Sequence, residues 1–198
     1  MATIISHFDP GQCSPSSSLP DRAHVVQFYT DDNSLVRSLA NAFSKALKAG
    51  ESVVGVMTPS HERGLLKRLA AQGIDTEEAV KKGRLILLDA LKTLGTFMDP
   101  SGPNRRKFFL ELERVLRKAE AAAEARHKRV VVFGEMVSIL CGQGDPDGAI
   151  RLEQLWNELA KTHFFHLRCA YRAKWFKGKL RGEPYAAICA EHSIVIHA

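Results

Sequence analysis

The residues with most chemistry to offer lie where short apolar runs end. Tyr29, Thr30, Asp31 and Asp32 close or follow HVVQFY, Thr58 and His61 follow SVVGVM, and Asp89 closes RLILLD. Gly134 and Glu135 follow RVVVF, and Tyr171 and Arg172 follow FHLRCA. If these runs are parallel strands, their carboxyl ends form a polar rim, which is where open parallel sheets take their ligands. Glu135 stands out as a carboxylate directly after an apolar run, beside a glycine that lets a backbone or ligand approach closely. It can serve as a general base, hold a water or accept hydrogen bonds from a ligand hydroxyl. The competing structural roles are helix caps for Asp32 and Thr58, and an ion pair between Glu135 and Arg151.

A second constellation lies in ICAEHS, where Cys189 and His192 are three residues apart and would share one face of a helix. With His24 or Cys169 they could complete a transition-metal site, or the imidazole could activate the thiol as a nucleophile. A buried cysteine beside a hydrogen-bonded histidine is the structural alternative, and no cofactor is firmly implied. The sequence contains no GxxxxGK[ST], GxGxxG, HExxH or GxSxG, so the common signatures of nucleotide hydrolysis, dinucleotide binding and hydrolase chemistry are missing. No catalytic residue is therefore assigned, with Glu135 or a Cys189 and His192 pair as the enzymatic alternative. A degenerate phosphate-binding site after Tyr29 is disfavoured, because Asp31 and Asp32 would repel phosphate where a helix N-terminus should attract it.

These residues need a scaffold, and the hydrophobic pattern supplies one. A strand is expected at 24–29, then a helix at 33–49 whose Leu35, Leu39, Ala42, Phe43, Ala46 and Leu47 fall at helical spacing before Gly50. A strand at 52–57, a helix at 59–72 and a short helix capped by Thr76 follow, then a strand at 85–89. Asn104 opens a long helix to about residue 126, RVVVF forms a strand buried on both faces, 147–161 forms a helix and 165–171 a strand. Strands alternating with helices predict βαβ crossovers: a three-layer α/β domain with a mostly parallel central sheet flanked by helices. PGQCSPSSSLP marks residues 1–20 as a flexible leader, leaving 21–198 as the domain.

Composition limits the function classes. A chain of 198 residues with 45% hydrophobic and 25% charged residues is ordinary globular material, and at this size about two thirds of the unfolded surface is buried on folding. No apolar run approaches the roughly 20 residues needed to cross a bilayer, and the N-terminus lacks a basic start with a continuous apolar core, so the cytoplasm is expected. The widely spaced Cys13, Cys141, Cys169 and Cys189 are expected as reduced thiols. The net charge of +6 comes largely from helix faces such as Lys67, Arg68 and residues 105–107, with few interleaved aromatics, so direct nucleic-acid binding is not expected.

The ordered series HVVQFYTDDNSLVRSLANAFSKALKAGESVVGVMT, RLILLDA, VVVFGEMVSIL, RLEQLWNEL, RCAY and ICAEHS resembles the MEDS domain over about residues 22–195. This is a sensory domain of methanogen and methylotroph regulators and of DcmR. The resemblance implies a divergent relative of RecA and KaiC proteins that keeps the parallel core without the phosphate loop. It also implies a signal-transduction sensor for small organic ligands such as simple hydrocarbon derivatives. The family's motif positions fall on His24, Phe28, Tyr29, Asp89, Gly134, Glu135, Arg151, Glu153, Trp156, Asn157, Tyr171, Cys189 and His192. Together these readings give a candidate ligand set of His24, Tyr29, Asp89, Glu135, Arg151, Tyr171, Cys189 and His192. The output is expected through a signalling partner, a histidine kinase or transcription regulator, or through a homodimer. His24 lies at the opposite end of its strand from Tyr29, which puts its membership of a rim site in question.

Overall fold

A computed structural model describes residues 4–5, 23–125, 129–176 and 182–197. The strands are β1 (Ile4–Ile5), β2 (His24–Tyr29), β3 (Ser52–Met57), β4 (Leu85–Asp89), β5 (Met98–Asp99), β6 (Gly102–Pro103), β7 (Val130–Gly134), β8 (Phe165–Arg172) and β9 (Ile194–His197). Seven of them form one sheet in the order β1-β9-β2-β8-β7-β3-β4, with every ladder parallel. β5 and β6 make a separate antiparallel pair. Every residue of β2 and β3 is buried, as expected when both faces of a parallel sheet are covered.

Helices α1 (Asp32–Lys48), α2 (Pro59–Ala71) and α3 (Thr76–Lys81) cover one face. Their apolar stripes meet Tyr29, Val53, Met57, Leu85, Phe133 and Ala170 in one core. On the other face lie α4 (Ala90–Phe97), α5 (Arg105–Ala122), α6 (Met136–Gly142), α7 (Pro146–Leu159) and α8 (Glu183–Ala190). They close over Val26, Phe28, Val130, Val132, Leu167, Cys169 and Tyr171 in the larger core. Side chains alternate across a strand, so residues of even and odd number on β2 belong to different cores. Trp156 anchors the larger one, edge-on to Phe108 at 5.2 Å and to Phe165 at 6.0 Å.

The helices start on short polar side chains that accept a backbone N–H three residues on: Asp31, Asp75, Asp89, Asn104 and Asp145 for α1, α3, α4, α5 and α7. Asp75, not Thr76, caps α3, and Asp31, not Asp32, caps α1. Thr58 makes no side-chain cap to α2.

The alternation of strands and helices read from the sequence is present, with further short elements. α4, α6 and α8 are each eight residues or fewer, too short for a helical period to register, and β9 is a four-residue strand held by pairing with β2 and β1. Within the expected leader, Ile4–Ile5 pair with Ile194 and Val195, while the rest of residues 1–20, Cys13 included, lies outside the described residues. Cys141, Cys169 and Cys189 are free thiols. Among the described residues no helix is long and apolar enough to cross a membrane.

Candidate functional site

At the carboxyl ends of the strands, a chain of polar contacts crosses the rim. β7 delivers Glu135, only 2% exposed, to a point between β3 and α2. One carboxylate oxygen accepts the Thr58 backbone N–H at 2.6 Å, and the other accepts His61 Nδ1–H at 2.6 Å. The far side of that imidazole, Nε2, stands 3.4 Å from Asp32 Oδ1. Asp32 in turn takes both its oxygens to one Arg172 nitrogen at 2.6 and 2.5 Å, and the Arg172 guanidinium lies 5.5 Å from the centre of the Tyr29 ring. Elements β2, α1, α2, β7 and β8 are thereby tied through side chains at one corner of the sheet.

Electrostatics follow from this arrangement. Burial alone would lower the pKa of His61, but its hydrogen bond to Glu135 and the charges of Glu135 and Asp32 outweigh burial and raise it. Burial, with the charge of Glu135 added, pushes the Tyr29 hydroxyl far above its ordinary value, so it is a neutral donor. A cavity of about 250 Å³ opens beside the chain, lined by Tyr29, Thr30, Arg172, Ala173 and Lys174. A methyl group placed on Gly134 would meet nothing within 4 Å, so the glycine leaves space next to Glu135. The larger cavity, about 290 Å³, lies at the amino ends of the strands beneath α1, where its charged Glu51 and Arg129 pair with each other at 3.6 Å.

The larger core holds a second polar cluster. Glu153 of α7 has no exposure at all. Tyr171 O–H donates to its Oε1 at 2.7 Å, Cys169 S–H donates to its Oε2 at 3.0 Å, and His24 Nε2 lies 3.2 Å from that same oxygen. His192 Nε2 stands 3.4 Å from Oε1 and makes no hydrogen bond there. The outer nitrogens are engaged: His24 Nδ1 with Asn157 Oδ1 at 2.8 Å, and His192 Nδ1 with the Ile188 carbonyl at 2.6 Å. Asn157 is oriented by its amide N–H groups, which donate to the Glu191 backbone and side-chain oxygens at 2.9 and 3.0 Å. Burial would raise the Glu153 pKa, but His192 and then His24 hold it well below the usual carboxylate range. Burial and the Glu153 charge push the Cys169 thiol and the Tyr171 hydroxyl well up.

The eight residues expected to share one site are thus divided. Tyr29 and Glu135 meet at the rim; His24, Tyr171 and His192 meet in the buried cluster. His24 and Tyr29 sit five positions apart on β2, an odd separation, so the pleat sends them to opposite faces of the sheet. Asp89 lies at the same end as the rim but spends its carboxylate on the Lys92 N–H at 2.9 Å, capping α4. Arg151 is exposed on α7, and the buried partner of Glu135 is His61 instead. Cys189 does not join His192 in the cluster: α8 stops at Ala190, so helical spacing no longer aligns them.

Cys169 and Glu153 occupy the places the candidate list left empty. Glu153 falls on the apolar stripe of α7 with Ala149, Leu152 and Trp156, at i−4, i−1 and i+3. A carboxylate on that stripe is the sequence signal for this cluster.

The wholly parallel, two-sided sheet with a polar carboxyl rim defines a three-layer α/β protein. Among solved structures, a KaiC-like protein from the hyperthermophilic archaeon Pyrococcus horikoshii matches with a TM-score of 0.51 at 18% identity, over 78% of this chain and 65% of that one. That likeness concerns the fold alone. A family model described as MEDS, MEthanogen/methylotroph, DcmR Sensory domain, matches residues 23–183, and the chain belongs to that family. No curated protein matches it. Membership assigns a sensory role in signalling.

Proposed function

We propose that this chain is a cytoplasmic signal-transduction sensor that binds a small organic ligand, a simple hydrocarbon derivative, at the carboxyl-end rim and passes the result to a partner protein. The carrying observation is the polar chain Glu135, His61, Asp32, Arg172, which runs from a buried carboxylate to the wall of the 250 Å³ cavity. A molecule that engages Tyr29 or Arg172 competes for Asp32, and the loss is felt at His61 and at the Thr58 backbone between β3 and α2. Binding shifts the population between two arrangements of this chain by its differential affinity for them. The receiving partner is a histidine kinase or transcription regulator that reads the surface formed by α1 and α2.

Residual nucleotide binding is the weaker reading. Asp31 already occupies one amide of the first turn of α1, accepting the Ser34 N–H at 2.7 Å, and Asp32 neutralises the nearest arginine. Both features remove what a phosphate would need. A thermal-shift screen of small alcohols, carboxylates and halogenated one-carbon compounds, run beside ATP with magnesium, separates the readings. Stabilisation by an organic compound and none by ATP is expected; the reverse result defeats the sensor reading.

A further inference from the structure

His24, Glu153, Cys169 and His192 come from four separate elements, β2, α7, β8 and the turn between α8 and β9, yet their inward atoms all lie within 4.8 Å of one another. The rim chemistry needs none of them. Their near separations are 3.0 Å for Cys169 Sγ to Glu153 Oε2, 3.2 Å for His24 Nε2 to the same oxygen, 3.4 Å for His192 Nε2 to Oε1 and 3.5 Å for Cys169 Sγ to His24 Nε2. Ligands around a tetrahedral zinc with bonds of about 2.0–2.3 Å are separated by roughly 3.3–3.8 Å, close to these values. We propose that these four side chains bind one divalent first-row transition ion, zinc by the character of the donor set.

Three further observations carry the assignment. Both imidazoles engage an oxygen acceptor through Nδ1, Asn157 for His24 and the Ile188 carbonyl for His192. Engaging Nδ1 outward leaves each Nε2 facing inward, the orientation that the outer partners of metal-bound histidines impose. The His192 side chain has no exposure, and its Nε2 is without a hydrogen bond; a buried polar atom of this kind is costly unless something completes it. The donor set also balances charge, since a Glu153 carboxylate and a Cys169 thiolate together neutralise a divalent cation. Tyr171 O–H, bonded to Glu153 Oε1, orients the carboxylate from behind.

Binding is an exchange without redox change: the ion takes the sulfur lone pair and the thiol proton of Cys169 leaves to solvent, so affinity rises with pH. Four protein donors make a closed site of the structural kind rather than one with an open position for substrate. The ion would fasten the turn before β9 to β2 and α7, and so control the docking of the C-terminal segment 182–197.

The test is cobalt(II) titration of the whole purified chain after chelator treatment, with elemental analysis of the protein as purified. Expected are about one equivalent of bound metal, intense visible bands of tetrahedral cobalt and a near-ultraviolet sulfur-to-cobalt charge-transfer band. Cys169→Ser should keep cobalt but lose the charge-transfer band, whereas Cys189→Ser should leave both spectra unchanged. Binding below a tenth of an equivalent by folded wild-type chain overturns the proposal, as does a charge-transfer band that disappears with Cys189→Ser and survives Cys169→Ser.

Discussion

Replacing Glu135 with glutamine removes one charge and almost no volume, so its effect isolates the electrostatic link at the rim. The carboxylate is 2% exposed and accepts two hydrogen bonds of 2.6 Å, from Thr58 N–H and His61 Nδ1–H. Hydrogen bonds to a charged group contribute about 1.5–3 kcal/mol and neutral ones about 0.5–1.5 kcal/mol. The glutamine carbonyl can keep the Thr58 bond in its weaker neutral form. Its amide can meet His61 only if the imidazole moves its proton to Nε2, towards Asp32 3.4 Å away. The two weakened bonds together cost about 2 kcal/mol, a fall in Tm of roughly 4–8 °C for a domain of this size.

The pH dependence gives the variant its sharper signature. His61 has a raised pKa in the folded chain, so its contribution to stability is fully present below its unfolded value and fades as pH rises through the folded value. Melting wild type and variant between about pH 5.5 and about pH 8.5 spans the ordinary imidazole value of roughly 6.5. The His61 contribution to wild-type stability should fall across that window, and the Glu135→Gln profile should be flatter by that contribution. Equal Tm values with parallel profiles would refute the coupling of Glu135 to His61.

Asp31→Ala removes the α1 cap and should cost about 1 kcal/mol, read as a Tm lower by roughly 2–4 °C, with no change in ligand response. Phe28 is 3% exposed and packs its ring against those of Tyr171, Phe176, Tyr185 and His197. Phe28→Ala should cost about 3–5 kcal/mol, and limited proteolysis should then cut near α8 and β9 before the rest of the domain. Arg172→Ala should shift Tm by less than about 3 °C, because its pair with Asp32 is partly exposed and screened by solvent.

Residues buried on both sides of the sheet were legible in the chain because they make unbroken apolar runs: SVVGVM and VVVF could be little else. The rim was legible for a related reason, since a strand end exposes whatever polar residues follow it, and Glu135, His61 and Arg172 all do. What escaped was the division of these residues into two polar clusters on opposite faces of the sheet. Parity along β2 separates His24 from Tyr29, which lie at opposite ends and on opposite faces of the strand. Cys169 lies mid-strand with Leu167 and Tyr171 on one face, so it reads as core until its neighbours across space are known. His192 reaches Glu153 only because β9 pairs with β2, a contact between segments 169 residues apart at His24 and Ser193 that no local pattern encodes.

The central claim, that the rim cavity receives the signal, is tested most directly by calorimetric titration of wild type and Arg172→Ala with the organic compound that most stabilises the wild-type chain. Saturable binding to wild type, weakened at least tenfold by Arg172→Ala with its melting transition nearly unchanged, is the predicted result. Equal affinity for both proteins would place the ligand elsewhere and contradict the account.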